Sequence, residues 1–337
     1  MRWKRRRLLW QALRKRKELR AVSKRTAHIA QDDILCFATV QNEIVRLPYF
    51  LDHHRRLGVD HFLIVDNAST DGTTDYLADQ PDVSLWSTST SYKAARFGME
   101  WLIPLLFRYG HGHWCLTLDA DECLVYPHCD TQPLKSLTAH LDTVGQVGMG
   151  AVMLDMYPKG QIGAQHYQAG RDPFEILEWF DAGPWSSSRQ QPVDNLWLQG
   201  GARARAFFHE EPRLAPTMNK LPLIKWQRAY VYVNSTHSML PPPLNRLYDG
   251  PGGTTISGAL LHTKFLDIAV SRAGEAKHVG EHFSNSSLYD AYYDAVAANP
   301  DLHFEGSHRY TGWKQLEELD LIYGGDWPSA APANPFR

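Results

Sequence analysis

Leu116-Thr117-Leu118-Asp119-Ala120-Asp121-Glu122 decides how the rest of the chain is read. An apolar run ends there on two carboxylates spaced i, i+2. Residues 114–118 read as a buried strand. Asp119 and Asp121 would then sit at its carboxyl end, where open α/β sheets bind ligands. Residues two apart on a strand share a face, so the pair can converge on one cation. With 24 Asp in 337 residues, chance alone places about one or two such pairs, so the motif needs its context.

That context is an alternation of strand and helix patterns. Strands are predicted at 34–40, 61–65, 83–86, 114–118 and 150–155. Helices are predicted at 43–57, 73–78, 93–109 and 133–141, with Pro48 tolerated near a helix start. The alternation implies an α/β fold with a mostly parallel central sheet flanked by helices. Residues 158–201 are rich in Gly, Pro, Ser, Gln and Trp and read as irregular. Spans this long are functional or mobile in compact domains. Short strands follow at 204–208, 221–226, 230–233 and 258–261, then helices at 266–278 and 287–298.

Right-handed crossovers place three strand ends on one rim. They read Thr39-Val40-Gln41-Asn42-Glu43, Asp66-Asn67-Ala68-Ser69-Thr70-Asp71-Gly72 and Asp119-Ala120-Asp121. A rim of Glu43, Asp66, Asp119 and Asp121 is too acidic to hold a polyphosphate without a divalent cation. Oxygen ligands of this kind suit Mg²⁺ or Mn²⁺. Asn, Ser, Asp and Gly also form turns, so Asp71 could simply cap the following helix.

In order, these stretches resemble the GT-A glycosyltransferases of the family 2 superfamily, in a bacterial branch carrying Asn-Glu, Val-Asp-Asn-x-Ser-x-Asp-Gly-Thr and Asp-x-Asp-Glu. The matching residues are Asn42-Glu43, Val65 to Thr73 and Asp119 to Glu122. The likeness continues through Gly200 to Arg205, Lys220 to Trp226, Ser235-Thr236-His237 and Leu260-Leu261-His262-Thr263-Lys264-Phe265, covering roughly residues 34–300. It implies a GT-A-like Rossmannoid domain with an acceptor-side extension. Residues 31–156 would be the nucleotide-sugar half and 157–300 the half that binds acceptor and completes the metal site. Residues 1–30 would be a basic helix or arm, and 301–337 a tail.

The resemblance also implies roles. Glu43 and Asp66 would hold the base and ribose of a nucleotide-sugar donor, with Asp71 supporting the loop. Asp121 would ligate Mn²⁺ or Mg²⁺, and Asp119 would touch ribose or a metal-bound water. His262 would complete the metal site, with His237 as its rival; either needs its other ring nitrogen oriented by a partner. Lys93 and Arg96, opening a predicted helix, are candidates for the donor phosphates, or are a solvated first turn. Arg203, Arg205, Lys220 and Lys225 are further candidates for the diphosphate, or surface ion pairs. Arg203 and Arg205 would share one face of a strand.

Inverting transfer needs a carboxylate to deprotonate the acceptor hydroxyl. The candidates are Asp181, set between aromatic residues, Glu178, Glu175 and Asp194. No Glu-Asp or Gln-x-x-Arg-Trp motif appears, which departs from the better-known family 2 enzymes and argues against a processive synthase. The donor would be a UDP-sugar and the acceptor a glycan or lipid-linked hydroxyl.

Charge is strongly partitioned. Residues 1–30 hold 12 Lys or Arg and one acid, Glu18, while the remainder holds 23 bases and 36 acids. With Trp3 and Trp10 among its bases, the N-terminus reads as a surface for an anionic membrane or as a solvated extension. The acidic body argues against nucleic acid. No apolar run reaches 18 residues, and no signal-peptide core follows the basic segment. Cys36, Cys115, Cys123 and Cys129 show no metal-site spacing and imply a reducing compartment. The expected location is cytoplasmic, peripheral on the inner face of a membrane. A haloacid-dehalogenase phosphatase would carry Asp-x-Asp after its first strand and follow it with Thr, unlike Glu122. A nucleotidyltransferase would carry a Gly-rich basic loop after the first strand. A nucleotide-sugar-binding protein without turnover is the non-enzyme alternative.

Overall fold

The computed structural model describes residues 1–279 and 290–327, with side chains of 274–279 left aside. Its central sheet has nine strands. These are β1 (Arg20–Ser23), β2 (Leu35–Val40), β3 (His61–Asn67), β4 (Val83–Thr88), β5 (Trp114–Thr117), β6 (Glu122–Val125), β7 (Gly148–Asp155), β8 (Asn219–Lys225) and β9 (Ser257–His262). Their order is β1-β4-β3-β2-β5-β8-β7-β9-β6. β4, β3, β2, β5, β7 and β9 share one direction, and β1, β8 and β6 oppose it. The result is a Rossmann-like, mostly parallel α/β sheet; the carboxyl rim of its six shared-direction strands is the edge where open α/β sheets bind ligands.

Both faces of the sheet are covered, and alternation along the strands shows it. On β2, Leu35 and Phe37 join a core with Leu8 and Ala12 of α1 (Arg2–Lys15) and Trp101, Leu102 and Leu105 of α4 (Met99–Leu105). Cys36, Ala38 and Val40 face the other way. They meet Phe50 and Leu51 of α2 (Leu47–Leu57), Leu77 of α3 (Thr73–Asp79) and Leu137 and Leu141 of α5 (Leu134–Thr143). A strand buried on both faces is apolar at consecutive positions, as expected of parallel sheets. A third cluster gathers Ala202 of α6 (Gly201–Phe207), Phe265, Ala273 of α7 (Ile268–Val279), and Tyr292 and Val296 of α8 (Asp290–Ala297). All four cysteines are free, and Cys36, Cys115 and Cys123 are buried.

Several expectations are corrected. The N-terminus is helical over α1, as read from the sequence, but it is not a solvated extension: after α1, β1 pairs antiparallel with β4. Arg25 donates to Val83 O at 3.0 Å and Ala78 O at 2.7 Å. Deleting residues 1–30 therefore strips an edge strand and buried side chains, and should lower the melting temperature by about 5 °C or more. The helix predicted at 93–109 begins only at Met99, because Arg96, Phe97 and Gly98 have φ of 50°, 56° and 76°. No right-handed helix runs through such residues. Gly98 also permits a close approach, since a Cβ there would lie 2.7 Å from Thr39 Oγ1.

The strand predicted at 204–208 is helix α6. Its Ala/Arg alternation imitates a strand period, but both residues are strong helix formers. The irregular span contains a two-stranded ribbon, Trp185–Gln190 paired with Asn195–Gly200, which buries Leu196 and Leu198 in the core. Within the predicted tail, His308–Arg309 pairs with Trp179–Phe180 and α9 (Trp313–Glu318) packs Leu316 into the core. Residues 287–289 of the predicted last helix, and 328–337 of the tail, lie outside the described residues.

Two histidines tie α2 to β6. His53 Nε2 donates to Leu124 O at 2.8 Å, and His54 Nδ1 donates to Phe50 O at 2.8 Å. His54 Nε2 then accepts the Leu124 amide at 3.4 Å. Burial pushes His54 well below the usual histidine range, with the neighbouring His53 adding to it. The native state excludes a proton that the unfolded chain binds below about pH 6.5. Stability is therefore kept above that pH and lost as pH falls through it, by up to about 1.4 kcal/mol per pH unit for each proton excluded. Melting curves against pH should show this loss, and His54→Gln should flatten it.

Candidate active site

The register of the sheet builds the centre of the rim. β9 pairs His262 with Asp155 at the end of β7 and with Glu122 at the start of β6. The turn from β5 to β6 carries Asp121 over the same place. Thr263 N donates to Asp121 O at 2.7 Å and fixes that turn to β9.

The side chains then form a relay of alternating charge. His262 Nε2 is 3.1 Å from Asp121 Oδ2, and its Nδ1 is 2.7 Å from Asp155 Oδ1. Arg203 Nε donates to Asp155 Oδ2 at 2.7 Å. Burial would raise the Asp121 carboxyl, but His262, then Arg46 and Lys264, hold it well below the ordinary range. Burial would likewise raise Asp155; Arg203 and His262 hold it down at about 2. Burial lowers His262, and Asp121 and Asp155 more than reverse it. Burial, then Arg203, depress the Lys264 ammonium.

Asp119 is not beside Asp121 on a shared strand face, because β5 ends at Thr117 and a turn intervenes. Asp119 Oδ2 accepts from Lys220 Nζ at 3.0 Å and its carboxylate is 44% exposed. Lys220 Nζ also lies 2.8 Å from Glu122 Oε1. Burial pushes Glu122 up to about 7, against the pull of Lys220. Lys220 thus ties Asp119 to Glu122, and Asp119 does not share a site with Asp121.

The other two strand ends are zipped together. Asn42 N donates to Ser69 Oγ at 2.8 Å and Thr70 N to Asn42 Oδ1 at 2.8 Å. Asp71 accepts the Thr73 amide at 3.0 Å and the Ile44 amide at 3.1 Å, which makes it a loop support and cap. Asp66 is buried and turned into its own loop, accepting from Ser69 and from Thr74 Oγ1 at 3.0 Å. Asp66 thus braces its own loop. Glu43 is clamped by Arg46 at 2.9 Å and Arg272 at 2.6 Å. Arg46 also reaches Thr263 O at 3.4 Å, so this clamp abuts the Asp121 turn.

The remaining candidates lie in other contacts. Arg96 donates to Tyr232 O, Val233 O and Glu100, so its guanidinium is fastened to protein rather than held out for phosphate. Lys93 sits in the turn before α4. Helix α6 sends Arg203 to Asp155 and Arg205 to Asp181, so they do not act as one strand-face clamp. Lys225 pairs with Asp142 at 2.7 Å. Asp181 is buried, with Arg205 Nε at 2.7 Å and the Tyr157 hydroxyl on it. Glu178 pairs with Arg309, Glu175 with Arg171 and Asp194 with Arg246. Asp181, engaged this way in the interior, is a poor acceptor of a substrate proton, whereas the Glu175–Arg171 pair is exposed and holds little. His237 keeps Nδ1 on Asn219 O at 2.6 Å, and burial, then Lys220, hold it down at about 3.

Asp155, Arg46 and Arg272 were missed. Asp155 was legible: it closes the apolar run Met149 to Leu154, the same signal that singled out Asp66 and Asp119. Among the described residues, no three or more His, Cys, Asp or Glu side chains are already grouped to hold a metal ion.

The fold and rim define a Rossmann-like α/β protein with an Asp–His–Asp–Arg relay at the sheet's carboxyl edge. No family model matches the chain, and no curated protein is significantly similar to it. Solved structures with some likeness include a 4-diphosphocytidyl-2C-methyl-D-erythritol synthase, 16% identical over 42% of this chain and 68% of that one, with a TM-score of 0.25. Another is a putative glucose-1-phosphate thymidylyltransferase from Bacillus anthracis, in complex with a sucrose, 8% identical over 86% and 93%, TM-score 0.31. A third is the UDP-glucose pyrophosphorylase from acinetobacter baumanii, 8% identical over 80% and 83%, TM-score 0.28. At these scores the likenesses carry no argument about the reaction.

Proposed function

We propose that this chain is a metal-dependent glycosyltransferase, moving a sugar from a nucleotide-sugar donor, UDP-linked, to a hydroxyl of a glycan or lipid-linked acceptor. One observation carries the reading: Asp121 and His262 converge on the carboxyl rim with the outer nitrogen of His262 held by Asp155. His262 Nε2 and Asp121 Oδ2 stand 3.1 Å apart. A carboxylate behind a ligating imidazole fixes its tautomer and raises its basicity. Asp121 and His262 would thus hold Mn²⁺ or Mg²⁺, which would supply positive charge to a departing nucleoside diphosphate.

The chain's own cations would assist. Lys264, whose charge helps hold down the Asp121 carboxyl, would share the diphosphate charge, while Arg46 stays bonded to Glu43 and Thr263 O. Asp119, half in solvent, would meet the ribose side of the donor. The zipped loops of Asn42 and Ser69 would form the wall near the nucleoside. A binding protein without turnover is the second reading, favoured by the ion pairs that lock Asp181 and Glu178.

Thermal-shift measurements with nucleoside diphosphates, with and without Mn²⁺, test the proposal. A ligand at a hundredfold its Kd stabilises by about 2.7 kcal/mol, so UDP with Mn²⁺ should raise the melting temperature by several degrees. No shift with any diphosphate plus metal would sink the reading. Donor hydrolysis or transfer separates an enzyme from a binding protein.

A further inference from the structure

We propose that the outer face of α1 docks this protein onto an anionic phospholipid bilayer. Residues 2–15 hold seven Lys or Arg and no acid. Leu8 and Ala12 are buried in the core shared with α4, which fixes the opposite face outward. On that face Trp3 is 82% exposed and Trp10 58% exposed. Trp3, Arg7, Trp10 and Arg14 follow i, i+4, i+7, i+11, one stripe of the helix. Arg2, Lys4 and Arg6 are exposed beside it.

Exposed Trp interleaved with guanidinium groups suits the headgroup layer, where the ring is half buried and the cations meet lipid phosphates. Arg14 lies 4.4 Å from the Trp10 ring centre and Arg6 5.8 Å from that of Trp3. A cleft beside Trp10 is lined by Arg14, Lys15 and Lys17. The acids near it, Glu18 and Glu100, are engaged by Lys15 and Arg96. Among the described residues no helix is long and apolar enough to cross a membrane, so contact here is superficial.

A bilayer is favoured over a nucleic acid on one ground. The remainder of the chain carries 13 more acids than bases and would repel a duplex bending around it, whereas a plane meets only the face turned toward it.

The helix also sits where docking serves the rim. β1 runs antiparallel to β4 and pairs Arg20 with Ser87 near the carboxyl end of β4. Glu18 accepts from Thr90 at 2.8 Å, just beyond that end. The chain thus leaves α1 on the rim side of the sheet. The docking surface itself does not depend on the nucleotide-sugar reading.

The test is cosedimentation of the full chain with vesicles of phosphatidylcholine, with or without about one quarter phosphatidylglycerol. The wild type should bind the anionic vesicles at least about tenfold more tightly, and less tightly as salt rises. Arg6→Gln/Arg7→Gln should weaken binding by about fivefold per charge. Trp3→Ser/Trp10→Ser should weaken it by about tenfold. Both pairs are on the exposed face, so melting temperatures and any diphosphate-induced shift should be unchanged. The proposal is overturned if the vesicles are not distinguished, if the Trp variant binds as the wild type does, or if duplex DNA at equal phosphate strips the protein from vesicles.

Discussion

Asp121→Asn should reduce Mn²⁺-dependent sugar transfer, or donor hydrolysis, by at least about a thousandfold, and should also lower the melting temperature without metal, because His262, Arg46 and Lys264 lose a counter-charge. A bound cation supplies several kcal/mol of transition-state stabilisation, and each 1.4 kcal/mol is a tenfold rate. Asp121 is the rim carboxylate whose environment most favours the charged form, since His262, Arg46 and Lys264 all face it. Asparagine keeps the shape and removes the charge. Asp155→Asn should have a weaker effect, about 10- to 100-fold in metal affinity, because it acts on the ligand through His262 Nδ1. Steady-state rates against Mn²⁺ concentration check both. An Asp121→Asn enzyme with wild-type turnover at saturating Mn²⁺ would remove Asp121 from the chemistry.

The second large effect is on folding. Arg203→Ala should destabilise the protein by about 3 kcal/mol, at the lower end of what breaking a buried ion pair costs. The Arg203 side chain is 6% exposed and that of Asp155 fully buried. Truncating Arg203 leaves Asp155 with His262 as its surviving cationic partner, which is why the effect stays at that lower end. Urea denaturation reads it as a shift in midpoint at constant slope. A loss under about 1 kcal/mol would show that water replaces the guanidinium without cost.

How much of this was legible depends on whether the signal was local. The parallel core was legible, because strands buried on both faces write themselves as continuous apolar runs, as at residues 61–65 and 114–118. β1 was not, since its exposed residues gain structure only by pairing with β4. Helix α6 was misread because alternation of Ala and Arg is ambiguous until its partners, Asp155 and Asp181, are known. At the site, Asp121 was legible as a strand-end carboxylate and His262 only through the family resemblance; the two meet in space. What failed was partnership: Lys220, Arg46 and Arg272 come from distant segments and decide that Asp119 and Glu43 are held by cations. Asp66 failed for a local reason, because Ser69 and Thr74 offer it hydroxyls three and eight residues ahead.

The proposed function requires His262 and Asp121 together to hold a divalent cation beside a nucleoside diphosphate. Pulsed electron paramagnetic resonance of Mn²⁺ bound with UDP reads this directly. The account predicts modulation from one imidazole nitrogen in the wild type and its loss in His262→Gln. Mn²⁺ bound with UDP but without any nitrogen coupling, or with the coupling intact in His262→Gln, would contradict it.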